Sequence, residues 1–155
     1  MDFDASRLRR GEWLAGASAV LLAIFLVGGK WYDGAGRTGG SLTGWQALTD
    51  LRWLLLVTIL VAAGLVVTQT TRRAPALPVT MSLIVMLLGI VSVVALIVRV
   101  LIDPPPHEEA GAYLALLSAI GIMLGGYFSL REEGIAHRDA PANIPIVRPG
   151  ARSES

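Results

Sequence analysis

The chain has 155 residues, 54% of them hydrophobic and 16% charged, with a formal net charge of +1. A soluble domain carries about 25% charged residues, so this chain is short of the groups that keep a surface wet. Cysteine is absent, which excludes disulfides, thiolate catalysis and cysteine-ligated metals, and the near-neutral balance leaves no electrostatic footprint for nucleic acid.

Four uncharged runs dominate the chain. A helix rises about 1.5 Å per residue, so crossing a hydrocarbon core of about 30 Å takes roughly 20 apolar residues. The first run extends from Trp13 to Gly29, between Glu12 and Lys30. No small-x-small cleavage site follows its apolar core, so it reads as a retained helix rather than a leader. The second, Trp53 to Thr71, lies between Arg52 and Arg72. The third, Ala74 to Val98, has Arg99 near its far end, and Pro75 and Pro78 suit its start. The fourth, Ala110 to Leu130, lies between Glu109 and Arg131. The expectation is an all-α, four-helix transmembrane bundle forming one domain over residues 1–130, with helices at about 12–30, 51–71, 78–102 and 110–131. The polar tail, 132–155, contains Pro141, Pro145 and Pro149 and reads as disordered after a short helical extension.

The arginines set the expected orientation. Arg7, Arg9, Arg10, Arg72, Arg73, Arg131, Arg138, Arg148 and Arg152 fall on one side, against Lys30, Arg37, Arg52 and Arg99 on the other. The richer side is expected to be cytoplasmic, with both termini there. Twelve of the 13 basic residues are arginine, a skew common in GC-rich bacterial coding sequences, so the membrane expected is a bacterial plasma membrane.

Helices in lipid associate where small residues let backbones approach. On the fourth helix, Gly111, Ala115, Ser118, Ile122, Gly125 and Ser129 form one stripe, and Gly121 with Gly125 makes a GxxxG. Ala15, Ala19 and Ala23 repeat on the first helix. Ser82, Val85, Gly89, Ser92, Leu96, Arg99 and Asp103 share a heptad stripe on the third. These stripes fit packing within the bundle; a homo-oligomer interface or a solute path is the alternative.

Arg99 is the most informative single residue. It sits about one turn inside the outer end of helix three on a stripe of small and polar residues, with Asp103 four positions on as a partner. Arg52 lies at similar depth, beside Asp50. Anchoring by snorkelling is the plainer reading; the sharper one is an outward-facing charged site built from Arg52, Arg99, Asp50 and Asp103. The first half of the loop after helix one reads as irregular, and its second half as a short helix capped by Ser41 or Thr43, with Trp45 and Leu48 on one face. Trp31, Tyr32, Trp45 and Trp53 are expected in an aromatic belt at the outer interface, and Trp13 at the inner one. The loop at residues 103–109 holds three prolines and the acids Asp103, Glu108 and Glu109 around His107. A solvated acidic turn fits it better than a metal site, because no ligand spacing is present.

No Walker loop, GxGxxG after a strand, HExxH or GxSxG occurs. No proline interrupts a helix at mid-depth and no acidic residue lies there, which argues against a proton-coupled carrier. Neither a cofactor nor a resident metal is expected.

Trp31-Tyr32 after helix one, followed by Gly44-Trp45-Gln46-Ala47-Leu48 before an aliphatic helix two, resembles small four-helix integral membrane proteins of actinobacteria. The resemblance covers the first half of the chain in motif and the second half in layout. It implies a fold and a location but no mechanism. The expected function is a non-enzymatic accessory or scaffold protein acting through helix faces and the outer loop, as a homo-oligomer or within a larger membrane complex. The alternative is a small-solute transporter or channel component using Arg52 and Arg99.

Overall fold

Glu12 starts the first helix. Its carboxylate accepts the backbone N–H of Arg9 at 3.0 Å, which satisfies an amide at a helix start that otherwise lacks a partner. The computed structural model describes residues 8–33, 40–71, 78–104 and 107–136. Within them α1 spans Arg10–Gly28, followed by the strands β1 (Lys30–Asp33) and β2 (Ser41–Thr43), the single-turn helix α2 (Gly44–Ala47), and the long helices α3 (Leu51–Thr71), α4 (Pro78–Ile97) and α5 (Ala110–Ala136). The last turn of the α4 rod, Val98–Ile102, is π-helical. The chain is mostly helical, and four of its helices are long and apolar enough to cross a membrane.

Each long helix packs on two others: α1 lies between α3 and α5, and α4 between the same two. The four therefore form a square with α1 and α4 on one diagonal. The closest contacts join α5 to α1 and α4, and small residues explain them. All six positions of the α5 stripe, Gly111, Ala115, Ser118, Ile122, Gly125 and Ser129, are buried. A Cβ added at Gly125 would stand 2.5 Å from Ala15 N, and one at Gly126 would stand 2.7 Å from Met86 N. Gly121 faces the Ser18 hydroxyl, and Gly89 on α4 faces the Met123 backbone. The α5 stripe thus packs on Ala15 and Ser18 of α1, and α5 packs on α4 at Gly89 and Gly126, inside one chain, whereas Ala23 of the α1 stripe is half-buried on the α3 side. Leu22, Leu55, Leu65, Leu96 and Ile122 fill the centre and are fully buried.

Several hydroxyls inside the bundle bond to the preceding turn of their own helix, as an apolar surrounding favours, while the buried Ser129 hydroxyl has no partner among the described residues. Thr58 donates to Leu54 O at 2.9 Å and Ser118 to Leu114 O at 2.8 Å. Because the single Thr58 proton is used there, the 2.8 Å contact between Thr58 Oγ1 and Ser92 Oγ is a hydrogen bond donated by Ser92. It ties α3 to α4.

Helix α5 continues to Ala136, so the short helical extension expected after Arg131 is present; residues 137–155 lie outside those described. One segment differs from the sequence expectation. The loop after α1 contains a hairpin: β1 pairs antiparallel with β2, with a bulge between Lys30 and Tyr32. Its pattern was hidden because three- and four-residue strands are too short to show a period. Residues 34–39, the glycine-rich part read as irregular, lie outside those described.

Candidate functional site

The hairpin closes one end of the bundle. Gly29 N–H bonds to Phe25 O at 3.1 Å, ending α1, and the chain leaves in an extended conformation. That brings Trp31 into the core cluster, where it is fully buried, with its indole N–H donating to Phe25 O at 2.7 Å. Gly44, at the first position of α2, lies flat against the ring: a Cβ there would meet Trp31 Cε2 at 2.5 Å. Thr43 N–H donates to the Gln46 side chain at 3.3 Å, capping α2, and Leu48 turns inward to 3% exposure while Trp45 is half-buried.

The segment before α5 clamps β1 from its other edge. Glu109 N–H donates to Trp31 O at 2.8 Å, and Asp33 N–H to His107 O at 3.0 Å. Tyr32 and Glu108 form an antiparallel bridge. His107 reaches this register with a φ of 63°, a left-handed conformation that costs a side-chain-bearing residue about 1–2 kcal/mol. Gly111, in the first turn of α5, sits against the Lys30 carbonyl, where any side chain would collide. Strand β1 is thus the middle member of a small three-part cap.

Trp31 and Tyr32 are therefore not members of an interfacial belt. Both are buried, Tyr32 at 3% exposure, because the hairpin folds them inward and the bundle centre accepts an indole. Trp13 and Trp53, each 55% exposed, remain on the outside at opposite ends of the molecule.

The charged residues also depart from expectation. Asp103 caps the π-helical turn, its N–H bonding to Val98 O at 2.8 Å, and its side chain is exposed. The expected Arg99–Asp103 ion pair is not formed among the described residues. Arg99 is half-buried and acts on Tyr32 instead. Burial pushes the Tyr32 phenol pKa up; Arg99 pulls it down and Glu108 adds to the rise. The Tyr32 hydroxyl is buried without a hydrogen-bond partner among the described residues. Glu108 accepts a hydrogen bond from the Tyr113 hydroxyl.

Arg52 belongs to a separate group. Its guanidinium lies 5.3 Å from the Trp45 ring centroid and 5.5 Å from that of Trp53, and the two indoles meet edge-on at 5.9 Å. This is a cation–π arrangement. Asp50, beside it in sequence, is exposed and forms no ion pair with Arg52 among the described residues. The four residues read as one charged site thus divide into an Arg52–tryptophan stack, an Arg99–Tyr32–Glu108 group, and two solvated aspartates. No three His, Asp or Glu side chains converge as a metal site among the described residues.

A second surface feature lies along the side of the bundle. A groove of about 540 Å³ runs between α1 and α3, walled by apolar atoms only. Its small lining residues Gly16, Ala17, Ala23 and Ala63 leave the space open. Comparison with family models, with curated proteins and with solved structures finds no match.

Proposed function

We propose that this protein is a non-enzymatic accessory or scaffold component of a bacterial plasma membrane, crossing it four times with both termini in the cytoplasm. The observation that carries the reading is the contrast between a filled interior and an apolar exterior. Leu22, Leu55, Leu65, Leu96 and Ile122 occupy the axis and Trp31 stoppers one end. The outside of every long helix carries large apolar side chains, with Val20 at 60%, Leu60 at 61%, Val94 at 56% and Leu117 at 64% exposure. A water-soluble monomer does not leave such continuous apolar faces open. In a bilayer they are the natural contact surface for lipid and for neighbouring helices. The capped end is the side poorer in arginine, which makes it the outer side.

Two experiments test this. The absence of cysteine makes single reporters clean: a Ser41→Cys variant is expected to react with a membrane-impermeant maleimide in intact cells, and Ser153→Cys only after permeabilisation. The reverse pattern overturns the orientation. In proteoliposomes the full-length protein is expected to carry no flux of small anions, and a photo-crosslinker at Leu60 or Leu117 is expected to capture neighbouring membrane proteins or a second copy. Solute flux abolished by Arg99→Ala would replace the scaffold reading with transport.

A further inference from the structure

We propose that the groove between α1 and α3 holds one acyl chain of an anionic phospholipid from the cytoplasmic leaflet, with its phosphate on Arg9 and Arg10. The inference rests on the membrane orientation proposed above.

The groove extends along α1 from Glu12 to Ile24, with Leu8 just ahead of the helix. Twelve residues of helix rise cover about 18 Å, and one leaflet of the hydrocarbon core is about 15 Å deep. One chain of a single leaflet therefore fits lengthwise. The floor is set where Gly16 meets Val66: a Cβ added at Gly16 would stand 2.8 Å from Val66 Cγ2, so α1 and α3 touch there. Ala17 and Ala63, on the open side, are exposed, and a wall without polar atoms offers nothing to water or to a hydrogen-bonding solute.

Charge complementarity selects the occupant. Arg9 and Arg10 stand exposed where the groove meets the start of α1. Glu12 lies at the same end, but it is 2% exposed, and its carboxylate is turned onto the Arg9 amide. Trp13 lines the groove nearby and is 55% exposed, an amphipathic ring at the depth where glycerol and ester groups lie. A partner helix would bring an apolar surface but no anion for the two arginines. A phospholipid brings both.

Native mass spectrometry of the full-length protein, released from vesicles of equal phosphatidylglycerol and phosphatidylcholine, tests the proposal. Wild type is expected to retain one phosphatidylglycerol per chain. Two arginines near the membrane surface correspond to about a 30-fold preference over phosphatidylcholine. In Arg9→Gln/Arg10→Gln the preference is expected to collapse to about unity, with the helices intact by circular dichroism. Ala63→Phe, which fills the groove from an exposed position, is expected to abolish retention of both lipids. Ala17→Phe repeats the test from the opposite wall, and Leu117→Phe, on another helix face, is expected to change nothing. Equal retention of both lipids by wild type, or retention unaffected by Ala63→Phe and Ala17→Phe, overturns the proposal. So does a dimer that both Phe variants dissociate, which would assign the groove to a second copy. Protein that fails to float with the vesicles refutes membrane insertion itself. Protein that floats with no lipid preference refutes only the site.

Discussion

Gly125 and Gly64 make opposite predictions for the same substitution. A methyl group at Gly125 would stand 2.5 Å from Ala15 N and 2.7 Å from both Ala15 Cα and Cβ, against about 3.5–4.0 Å for an ordinary contact. Two of those three atoms are backbone, so no rotamer change relieves them; α1 and α5 must part by about 1 Å. Overpacking of this kind costs about 1–3 kcal/mol, and the gain in helix propensity offsets about 0.5–1 kcal/mol of it. The expected net loss for Gly125→Ala is about 1–2 kcal/mol. At Gly64, on α3, an added Cβ meets nothing within 4 Å. There only the propensity gain operates, and Gly64→Ala is expected to stabilise by about 0.5–1 kcal/mol. The difference of about 2 kcal/mol is roughly a 30-fold change in the unfolding equilibrium. Reversible unfolding in mixed micelles by sodium dodecyl sulfate, followed by far-ultraviolet circular dichroism, measures it. If the two variants unfold at the same midpoint, or Gly125→Ala is the more stable, close backbone packing of α1 on α5 is not what holds this bundle.

The cap and the bundle give further expectations. Trp31→Ala should destabilise by about 3–5 kcal/mol through loss of a buried aromatic, and Trp31→Phe by about 1 kcal/mol through loss of its bond to Phe25 O; the same unfolding assay reads both. Thr58→Val should cost about 0.6–1.7 kcal/mol, and adding Ser92→Ala should cost little more, because the two hydroxyls act as one unit. Tyr32 has a folded pKa above that of the unfolded chain. Its contribution is therefore fully present below about pH 10 and is lost as pH rises past that value. Tyr32→Phe should remove that alkaline component while leaving neutral-pH stability unchanged or slightly higher, since the hydroxyl has no partner to lose among the described residues; unfolding midpoints at pH 7 and pH 11 check it. Arg52→Lys should weaken the stack on Trp45 and Trp53 by about 0.5–1 kcal/mol, read as a change in tryptophan emission with little change in helicity.

What could be read from the chain beforehand depended on period. The α5 stripe from Gly111 to Ser129 and the α4 stripe from Ser82 to Leu96 repeat at helical spacing over four or five turns, and every member of both is buried. Trp31 was misplaced because a tryptophan beside a helix end is ordinarily an interfacial anchor. Only the bulge at Lys30–Tyr32, the close seat at Gly44 and the edge pairing with Glu108 and Glu109 turn it inward. All three are tertiary, and the nearest sequence sign is glycine at 44 and 111, where other side chains would collide. The π turn at Val98–Ile102 leaves no compositional mark, and regular helical spacing pointed to an Arg99–Asp103 pair that the described residues do not form. Thr58 carries no period of its own, and its pairing with Ser92 needed the α3–α4 contact to appear.

The middle position of β1 has a mechanical consequence. One edge is joined to the segment leading into α3, and the other to the segment leading into α5. Its own start continues directly from α1. A pull on the hairpin is therefore shared among three helices at once, and Gly111 against the Lys30 backbone transmits it without slack. The cap behaves as a riveted crossbar rather than a hinged flap, so whatever grips it from outside would move the rods together.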